Sequence, residues 1–204
     1  IILSRYIDLK RDSNLLHKVH KMLDEKYSDN EILIINDSSS KNHPSYWRTL
    51  LKNTPSVRVV NLSSEVSNDI AITAGLENAI GDYIIVFNPA QDPLNIIIKS
   101  IDLCQENQVI VGVEKKPKTS AVYKIIRPFI SWILSEIGYC LPKDATSFRC
   151  ISRAIVNSVT QTNNYYHQVY VRISQMSPTQ VKLHYNRNNN VKKTILKSIK
   201  ELML

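Results

Sequence analysis

The sequence predicts an α/β domain in which an open, mostly parallel β-sheet carries helices on both faces. Short apolar runs rich in Ile and Val recur along the chain, segments with helical spacing of apolar residues lie between them, and polar residues follow each run directly. This alternation of strand and helix is typical of a parallel sheet. At 204 residues, the chain suits one domain, residues 1–204.

The first elements follow this pattern closely. An opening strand in residues 1–7 leads to an amphipathic helix over residues 13–27, for which Ser13 is the expected N-cap. The apolar runs EILIIND and VRVVNL are the next two strands. The first of them ends in a polar cluster, as a buried strand does where it enters a loop.

A second set of alternating elements continues the sheet. A helix over residues 67–80 is expected to end at Gly81, immediately before the strand DYIIVFN. A helix over residues 94–107 and the strand VIVGVE follow. The order of elements up to residue 114 is therefore Rossmann-like.

The second half of the chain has a different character. A basic loop, KKPK, leads to the apolar and aromatic stretch YKIIRPFISWILSEIGYCL, which we expect to be helical and broken at Pro128. The segment DATSFRCISRAIVNSV is predicted to be a turn that runs into a helix, and VKLHYNR to be a strand. The tail VKKTILKSIKELML predicts a basic amphipathic helix.

Composition excludes several classes of protein. The four glycines form neither a P-loop nor a GxGxxG motif. The three cysteines are odd in number and lack zinc-site spacing, and their pattern favours a reduced, cytoplasmic setting. The net charge of +8 comes without an RNP motif, zinc finger or helix-turn-helix pattern, so we expect no nucleic-acid partner. No apolar run approaches the ~20 residues of a membrane-spanning helix.

The residues directly after each strand are the candidate ligand-binding residues, because parallel strands direct their carboxyl ends to a shared crevice. They are Tyr6, Asp8, Asn36, Asp37, Asn88, Gln91 and Asp92. We expect Asp37 to accept a hydrogen bond from a nucleobase N–H or a ribose hydroxyl. The alternative is an Asx-turn that only ends the strand.

Asn88 and Asp92 are the candidates for holding a metal-bound diphosphate, since Mg²⁺ and Mn²⁺ prefer oxygen ligands. The alternative is that Asp92 caps the next helix, with Pro93 at its first position. Guanidinium and ammonium groups suited to phosphate lie in the second half, and the alternative for them is a solvated basic face. They are Arg149, Arg153, Arg187, Lys192 and Lys193.

Several of these segments, in the same order, resemble family 2 glycosyltransferases and in particular the dolichyl- or polyprenyl-phosphate sugar transferases. The block AITAGLENAIGDYIIV at residues 71–86 is similar to the family pattern AllaGLxxAxGDyvvv. Four further blocks correspond to the family's DDGS, DADLQDP, GxFRLxsR and RxxGxSK patterns: NDSS at 36–39, FNPAQDP at 87–93, TSFRCISR at 146–153 and RNNNVKK at 187–193. The resemblance implies a GT-A fold, with a nucleotide-binding part over about residues 1–114 and an acceptor and phosphate side over about 115–204.

The chain departs from the family at positions that carry charge. The two carboxylates of the family's metal-binding DxD motif fall on Phe87 and Pro89, and the first aspartate of DDGS is Asn36. A divalent cation, Mg²⁺ or Mn²⁺, would therefore lack its usual ligands, with Asn88 and Asp92 as the remaining candidates.

The resemblance also implies roles for charged residues. Asp92 is the candidate general base for a hydroxyl acceptor, and Arg149 the candidate catalytic cation. Arg149, Arg187 and Lys193 are expected to bind phosphate, and Arg127 is available to replace a metal.

The function implied is transfer of a sugar from a UDP- or GDP-linked donor to a lipid phosphate or a growing glycan. The alternative is a catalytically eroded pseudo-enzyme that acts as a binding or partner subunit. A further hypothesis is peripheral contact with the cytoplasmic face of a membrane through apolar residues of segments 124–133 and 195–202, against the alternative that these helices pack on the domain core.

Overall fold

The computed structural model describes residues 1–4, 9–36, 48, 50–52, 54, 56–117, 142–161 and 168–188. Its strands are β1 (Ile2–Ser4), β2 (Ile32–Asn36), β3 (Val57–Asn61), β4 (Tyr83–Val86), β5 (Val109–Glu114), β6 (Ala145–Ser152) and β7 (Val181–Tyr185). Its helices are α1 (Leu9–Asp24), α2 (Asn68–Asn78), α3 (Asn95–Cys104), α4 (Arg153–Gln161) and α5 (Val169–Met176).

The strands form a seven-stranded sheet in the order β3-β2-β1-β4-β6-β5-β7. β1 pairs in parallel with β2 and β4, β2 pairs in parallel with β3, and β5 with β7. β6 runs antiparallel to both β4 and β5. The chain builds outward from β1 to β3 and then crosses to β4 on the other side of β1, so the topological switch point lies at the carboxyl ends of β1 and β4.

Apolar side chains cover both faces of the sheet. Residues 32–35 of β2 are 2% exposed or less, and successive side chains point to opposite faces. Ile32 and Ile34 belong to a cluster with residues of α1 and α3, whereas Leu33 and Ile35 belong to a cluster with residues of α2, α4 and α5. The helices therefore lie on both faces, and the α/β prediction with a mostly parallel sheet is confirmed.

Several predicted helix boundaries are wrong, including the ends of α1 and α3, which stop at Asp24 and Cys104 and not at residues 27 and 107. α1 begins at Leu9, so Ser13 lies inside the helix and is not its N-cap. The first turn of α1 is mostly polar in sequence, and hydrophobic periodicity cannot mark a boundary there. α2 begins after Ser67, whose side chain accepts a hydrogen bond from the Ile70 amide, but it ends at Asn78 with Ala79 as its C-cap, before Gly81.

The segment predicted as a turn that runs into a helix contains the strand β6, and the helix α4 begins only at Arg153. Thr146 and Arg149 are buried within β6, so this strand lacks the apolar run that reveals the others. The predicted helical stretch at 123–141 and the basic tail at 191–204 lie outside the described residues. No helix in the described ranges is long and apolar enough to cross a membrane.

Candidate functional site

The candidate site lies at the carboxyl edge of the sheet, beside the switch point between β1 and β4. Residues 88–92, here called the 88–92 loop, follow β4 after the single residue Phe87. β2 and β3 end at the same edge, at the paired residues Asn36 and Asn61. β5 and β7, which run parallel to each other, end at the paired residues Glu114 and Tyr185. This edge is where an open α/β sheet binds its ligands.

The 88–92 loop is closed by hydrogen bonds among its own residues. The Asn88 carbonyl accepts from the amides of Gln91 and Asp92, at 3.0 and 2.8 Å. The Asn88 side chain accepts from the Ala90 amide at 3.0 Å, and the Asn88 amide donates to Oδ2 of Asp92 at 2.8 Å. These bonds give the loop one compact shape, and they leave Asp92 facing the protein interior, where it is 1% exposed.

Asp92 is held from β7 by the hydroxyl of Tyr185, which donates a hydrogen bond to its Oδ1. The Tyr185 hydroxyl also lies 2.8 Å from the hydroxyl of Thr146 on β6, and Thr146 lies 3.2 Å from the carbonyl of Gly112 on β5. A buried chain of hydrogen bonds thus runs from the loop after β4 across three strands. The alternative in which Asp92 caps α3 is wrong, because α3 is preceded by Leu94 and has no side-chain cap.

Sequence reasoning missed Tyr185 and Thr146, although Gly112 offered a signal. A glycine inside a strand often marks a close approach by another group. A Cβ atom on Gly112 would stand 2.6 Å from the Thr146 hydroxyl and 2.9 Å from Cε1 of Tyr185. The missing side chain makes the space in which the two hydroxyls meet.

Burial sets the electrostatics of the Asp92 and Tyr185 pair. Desolvation raises the pKa of Asp92 above its usual value, although the hydrogen bonds from Tyr185 and Asn88 and the charges of Arg187 and Arg149 act in the opposite direction. Desolvation, together with the charge of Asp92, also raises the pKa of Tyr185. Tyr185 therefore stays protonated and remains a hydrogen-bond donor.

The segment after β7 also contacts the 88–92 loop. The Asn188 amide donates to the Gln91 carbonyl at 2.9 Å, and its side chain donates to the Asp92 carbonyl at 3.3 Å. Arg187 directly precedes Asn188 in sequence, and its Nε lies 3.8 Å from a carboxylate oxygen of Glu114. Within the described part of the chain, that Nε is buried without a hydrogen-bond partner. Of the predicted phosphate ligands, Arg187 is thus placed at the edge of the site.

Asn36 and Asn61 form an amide pair at the other end of the same edge. Nδ2 of Asn36 donates to Oδ1 of Asn61 at 2.8 Å. Oδ1 of Asn36 is buried and, among the described residues, accepts no hydrogen bond. An unsatisfied acceptor at the carboxyl end of a central strand suits a ligand N–H or O–H.

Arg149 and Arg153, two of the predicted phosphate ligands, lie near opposite edges of the sheet, with Arg149 paired to Val86 at the carboxyl end of β4. Arg149 is 1% exposed, donates to the carbonyls of Thr146 and Phe148 at 2.6 and 2.7 Å, and stacks on the ring of Tyr170 at 4.5 Å. Arg153 donates to the carbonyl of Gly81, before β4 and so at the opposite edge of the sheet. Both guanidinium groups therefore bind backbone carbonyls.

The described residues offer little to a divalent cation. No group of three or more His, Cys, Asp or Glu side chains gathers in the described ranges. Phe87 belongs to the apolar core and Pro89 is buried, while Asp92 already accepts a hydrogen bond on each oxygen. Asn88 and Asp92 as metal ligands stay a prediction that the geometry does not favour. Tyr6, Asp8, Asp37, Arg127, Lys192 and Lys193 lie outside the described residues.

Comparison with known proteins agrees with this architecture. Residues 10–89 match the family model described as glycosyl transferase family 2. The chain is 25% identical over 146 residues to the uncharacterized glycosyltransferase YkcC of Bacillus subtilis, covering 70% of this chain and 45% of the relative. It is 23% identical over 137 residues to an uncharacterized glycosyltransferase of Synechocystis, covering 64% of this chain and 42% of the relative. The chain thus spans less than half the length of these relatives.

Solved structures show the same fold at low sequence identity. A mycobacterial protein superposes with a TM-score of 0.67 at 11% identity, covering 99% of this chain and 72% of that one. Glucosyl-3-phosphoglycerate synthase from Mycobacterium tuberculosis, solved with Mn²⁺, UDP and phosphoglyceric acid, superposes with a TM-score of 0.62 at 13% identity, covering 98% and 72%. The matched segment, which covers less than half of this chain, is similar to glycosyl transferase family 2, and the solved structures show that the chain shares their GT-A fold.

Proposed function

We propose that this chain moves a sugar from a nucleotide diphosphate donor, linked to UDP or GDP, to a lipid phosphate or a growing glycan. The observation that carries the proposal is the meeting of the 88–92 loop, Arg187 and Asn188 at the carboxyl edge of the sheet. The loop follows β4, which pairs with β1 at the switch point, and ligands of open α/β sheets bind there.

The donor nucleoside is proposed to bind across the ends of β1 and β2. The buried acceptor Oδ1 of Asn36, which accepts no hydrogen bond from the described residues, supports this placement, because a base N–H or a ribose hydroxyl could donate to it. Tyr6, Asp8 and Asp37 are proposed to contribute as well, since they follow the same two strands in sequence. Asn88 and Gln91 are proposed to contact the sugar diphosphate from the loop.

Charge on the diphosphate is proposed to be neutralised by side-chain cations. Arg187 is 11% exposed and its Nε is unoccupied by any described hydrogen-bond acceptor, so it supports a phosphate role. Lys193 is proposed to assist it. The solved neighbour carries Mn²⁺ with UDP. The described residues of this chain supply no cluster of carboxylates for such a cation, so we place the neutralising charge on Arg187 and Lys193.

The burial of Asp92 bears on the class of acceptor. In the proposed step an acceptor oxygen attacks the anomeric carbon, the bond from that carbon to the diphosphate breaks, and the nucleoside diphosphate leaves with the bonding electrons. A sugar hydroxyl needs a base to take its proton, whereas a lipid phosphate is already ionised at neutral pH. Both oxygens of Asp92 already accept hydrogen bonds, which favours the phosphate acceptor.

The division into a nucleotide part over residues 1–114 and an acceptor side over 115–204 belongs to the same proposal. β1 to β4 lie side by side in the sheet next to the proposed nucleoside site, and β7 with its following segment brings Arg187 to the edge. Contact with a membrane face stays a prediction, because segments 124–133 and 195–202 lie outside the described residues.

Donor binding and transfer are tested in one series. Thermal unfolding is followed with UDP-glucose, UDP-N-acetylglucosamine, GDP-mannose and free UDP and GDP, each with and without Mn²⁺. A ligand present at 100 times its Kd stabilises the protein by about 2.7 kcal/mol, and we expect one nucleotide class to do so. No stabilisation by any of them contradicts the proposal.

The donor that binds is then incubated with a polyprenyl phosphate, and release of the nucleoside diphosphate is measured. Transfer supports the transferase. Binding without transfer to this acceptor or to a glycan acceptor supports the pseudo-enzyme, which the family match and the glycosyltransferase relatives do not favour.

A further inference from the structure

We infer that Tyr185 is a positioning residue of the site: its hydroxyl, anchored by Thr146, fixes Asp92 and through it the 88–92 loop in one conformation. The consequence for donor binding rests on the proposed function, because only that function makes the loop a donor contact. The positioning itself concerns the protein alone and is testable without any ligand.

The contacts of the loop support a positioning role. Inside the loop, hydrogen bonds converge on Asn88 and on the carboxylate of Asp92. From outside it, Tyr185 bonds the carboxylate, and Asn188 bonds two backbone carbonyls. Asp92 takes part in both the internal and the external hydrogen bonds. Loss of the hydrogen bond from Tyr185 therefore frees the carboxylate to which the Asn88 amide donates, and we expect it to loosen the loop.

The ring of Tyr185 is held independently of its hydroxyl. It packs edge-to-face with Phe148, with ring centroids 6.0 Å apart and planes at 67°. Tyr185 as a whole is 5% exposed. Replacement of the hydroxyl by hydrogen therefore keeps the packing, and it isolates the contribution of one hydrogen bond to a buried carboxylate.

Thr146 bears on which acceptor receives the proton of the Tyr185 hydroxyl. The Thr146 oxygen lies 2.8 Å from the Tyr185 oxygen, and it accepts from the Phe148 amide at 3.2 Å. Each hydroxyl carries one proton. With the Tyr185 proton donated to Asp92, the 2.8 Å contact is a hydrogen bond when Thr146 donates to Tyr185 and not to the Gly112 carbonyl at 3.2 Å, and the buried pair then presents one donor to the carboxylate.

The test compares Tyr185→Phe with the matched control Tyr170→Phe. Tyr170 is also a partly buried tyrosine whose hydroxyl donates a hydrogen bond, but its acceptor is the carbonyl of Ser147 at 2.9 Å. The first readout is hydrogen exchange of the loop amides of Asn88, Ala90, Gln91 and Asp92, followed by NMR in ¹⁵N-labelled protein without any ligand.

We expect Tyr185→Phe to speed exchange of these amides, since the hydrogen bond that holds the closing residue of the loop is lost, and Tyr170→Phe to leave their exchange as in the wild type. The second readout is the Kd of the donor that stabilises the wild type, for which we expect a rise of about tenfold in Tyr185→Phe. A Tyr185→Phe protein in which the loop amides exchange as in the wild type overturns the inference.

The two readouts keep the inference separate from the proposed function. If no nucleotide sugar binds the wild type, the proposed function fails while exchange of the loop amides still decides the role of Tyr185. If Tyr185→Phe does not fold, Thr146→Val and Thr146→Ser replace it. We expect the valine variant to speed exchange of the loop amides and the serine variant, which keeps the hydroxyl, to restore it. Identical exchange in these two variants overturns the inference as well.

Discussion

The phenol of Tyr185 donates a hydrogen bond to the carboxylate of Asp92, a residue 93 positions earlier in the chain. One partner closes the loop after β4 and the other ends β7, so the contact joins the two halves of the sheet at the edge where ligands of this fold class bind. Several measurable properties of the protein depend on this pair and its neighbours.

Asp92→Asn is expected to change how stability depends on pH. The folded-state pKa of Asp92 is raised above its ordinary value of 3.8, so the stabilising contribution of the protonated acid is complete below that value and is lost as pH rises through the folded-state pKa. An asparagine does not ionise. Its oxygen is able to accept from the Asn88 amide while its amide donates to the Tyr185 oxygen.

The stability of Asp92→Asn relative to the wild type should therefore grow as pH rises from about 4 to neutrality, by about 1.4 kcal/mol for each pH unit that separates the two pKa values. Urea unfolding at intervals from about pH 4 to 8 measures it. Asp82→Asn, at an exposed position, serves as the control. A constant difference between Asp92→Asn and the wild type across this range would show that Asp92 is not destabilised by its burial.

Gly112→Ala is expected to destabilise the protein through the same network. The added methyl group would meet the Thr146 hydroxyl at 2.6 Å, Cβ of Phe148 at 2.8 Å and Cε1 of Tyr185 at 2.9 Å. Overpacking of this kind costs about 1–3 kcal/mol. Gly81→Ala is the control, because its methyl group would find the Tyr83 carbonyl at 3.6 Å, an ordinary contact. Equal stability of the two variants in urea would contradict the tight meeting of the three side chains.

Arg187→Gln is expected to weaken donor binding with little loss of stability. Its Nε contacts Glu114 only at 3.8 Å, so removal of the charge breaks a loose ion pair and takes a cation from the edge of the site. Calorimetric titration with the nucleotide sugar measures the Kd, which should rise about tenfold or more.

Arg58→Gln is the matched control for this prediction. Arg58 pairs with Glu31 at 2.8 Å and also contacts the Asn78 carbonyl, away from the carboxyl edge. We expect its Kd for the donor to equal that of the wild type. Equal weakening in both variants would indicate a general effect of net charge, and no weakening in Arg187→Gln would remove Arg187 from the site.

Arg149→Lys is expected to destabilise the protein. One nitrogen of the buried guanidinium donates to two carbonyls while the group stacks on Tyr170, and an ammonium group does not reproduce the planar stack. A loss of roughly 1–3 kcal/mol should appear in urea unfolding. Arg48→Lys, at an exposed position, should leave stability unchanged. Wild-type stability in Arg149→Lys would show that the buried contacts of Arg149 contribute little.

The sequence alone predicts the sheet well because its strands are buried on both faces. The ILII run of β2 can only be a buried strand or a short piece of buried helix, and the polar residues after it decide for the strand. The same logic places Asn36, Asn88, Gln91 and Asp92 at the carboxyl edge, as the structure confirms. What they bind stays a prediction.

Other parts of the site could not be predicted, because they depend on contacts between distant segments. Tyr185 resembles any strand residue until β7 is paired with β5, and only then does its hydroxyl reach Asp92. Arg149 resembles a surface cation in sequence, since nothing local shows that its guanidinium is enclosed by carbonyls and a ring. Local sequence patterns reveal the burial of apolar residues, but they do not reveal the burial of a polar residue whose partners lie far away in the sequence.

The most direct test of the account is a titration of ¹⁵N-labelled protein with UDP-glucose and with GDP-mannose, with and without Mn²⁺, followed by amide chemical shifts. We expect one donor to shift the amides of Asn36, Asn88, Gln91 and Asn188, at the carboxyl edge of the sheet. Shifts confined to the opposite edge, around Ile80 and Tyr83, or no shifts with either donor, would contradict it.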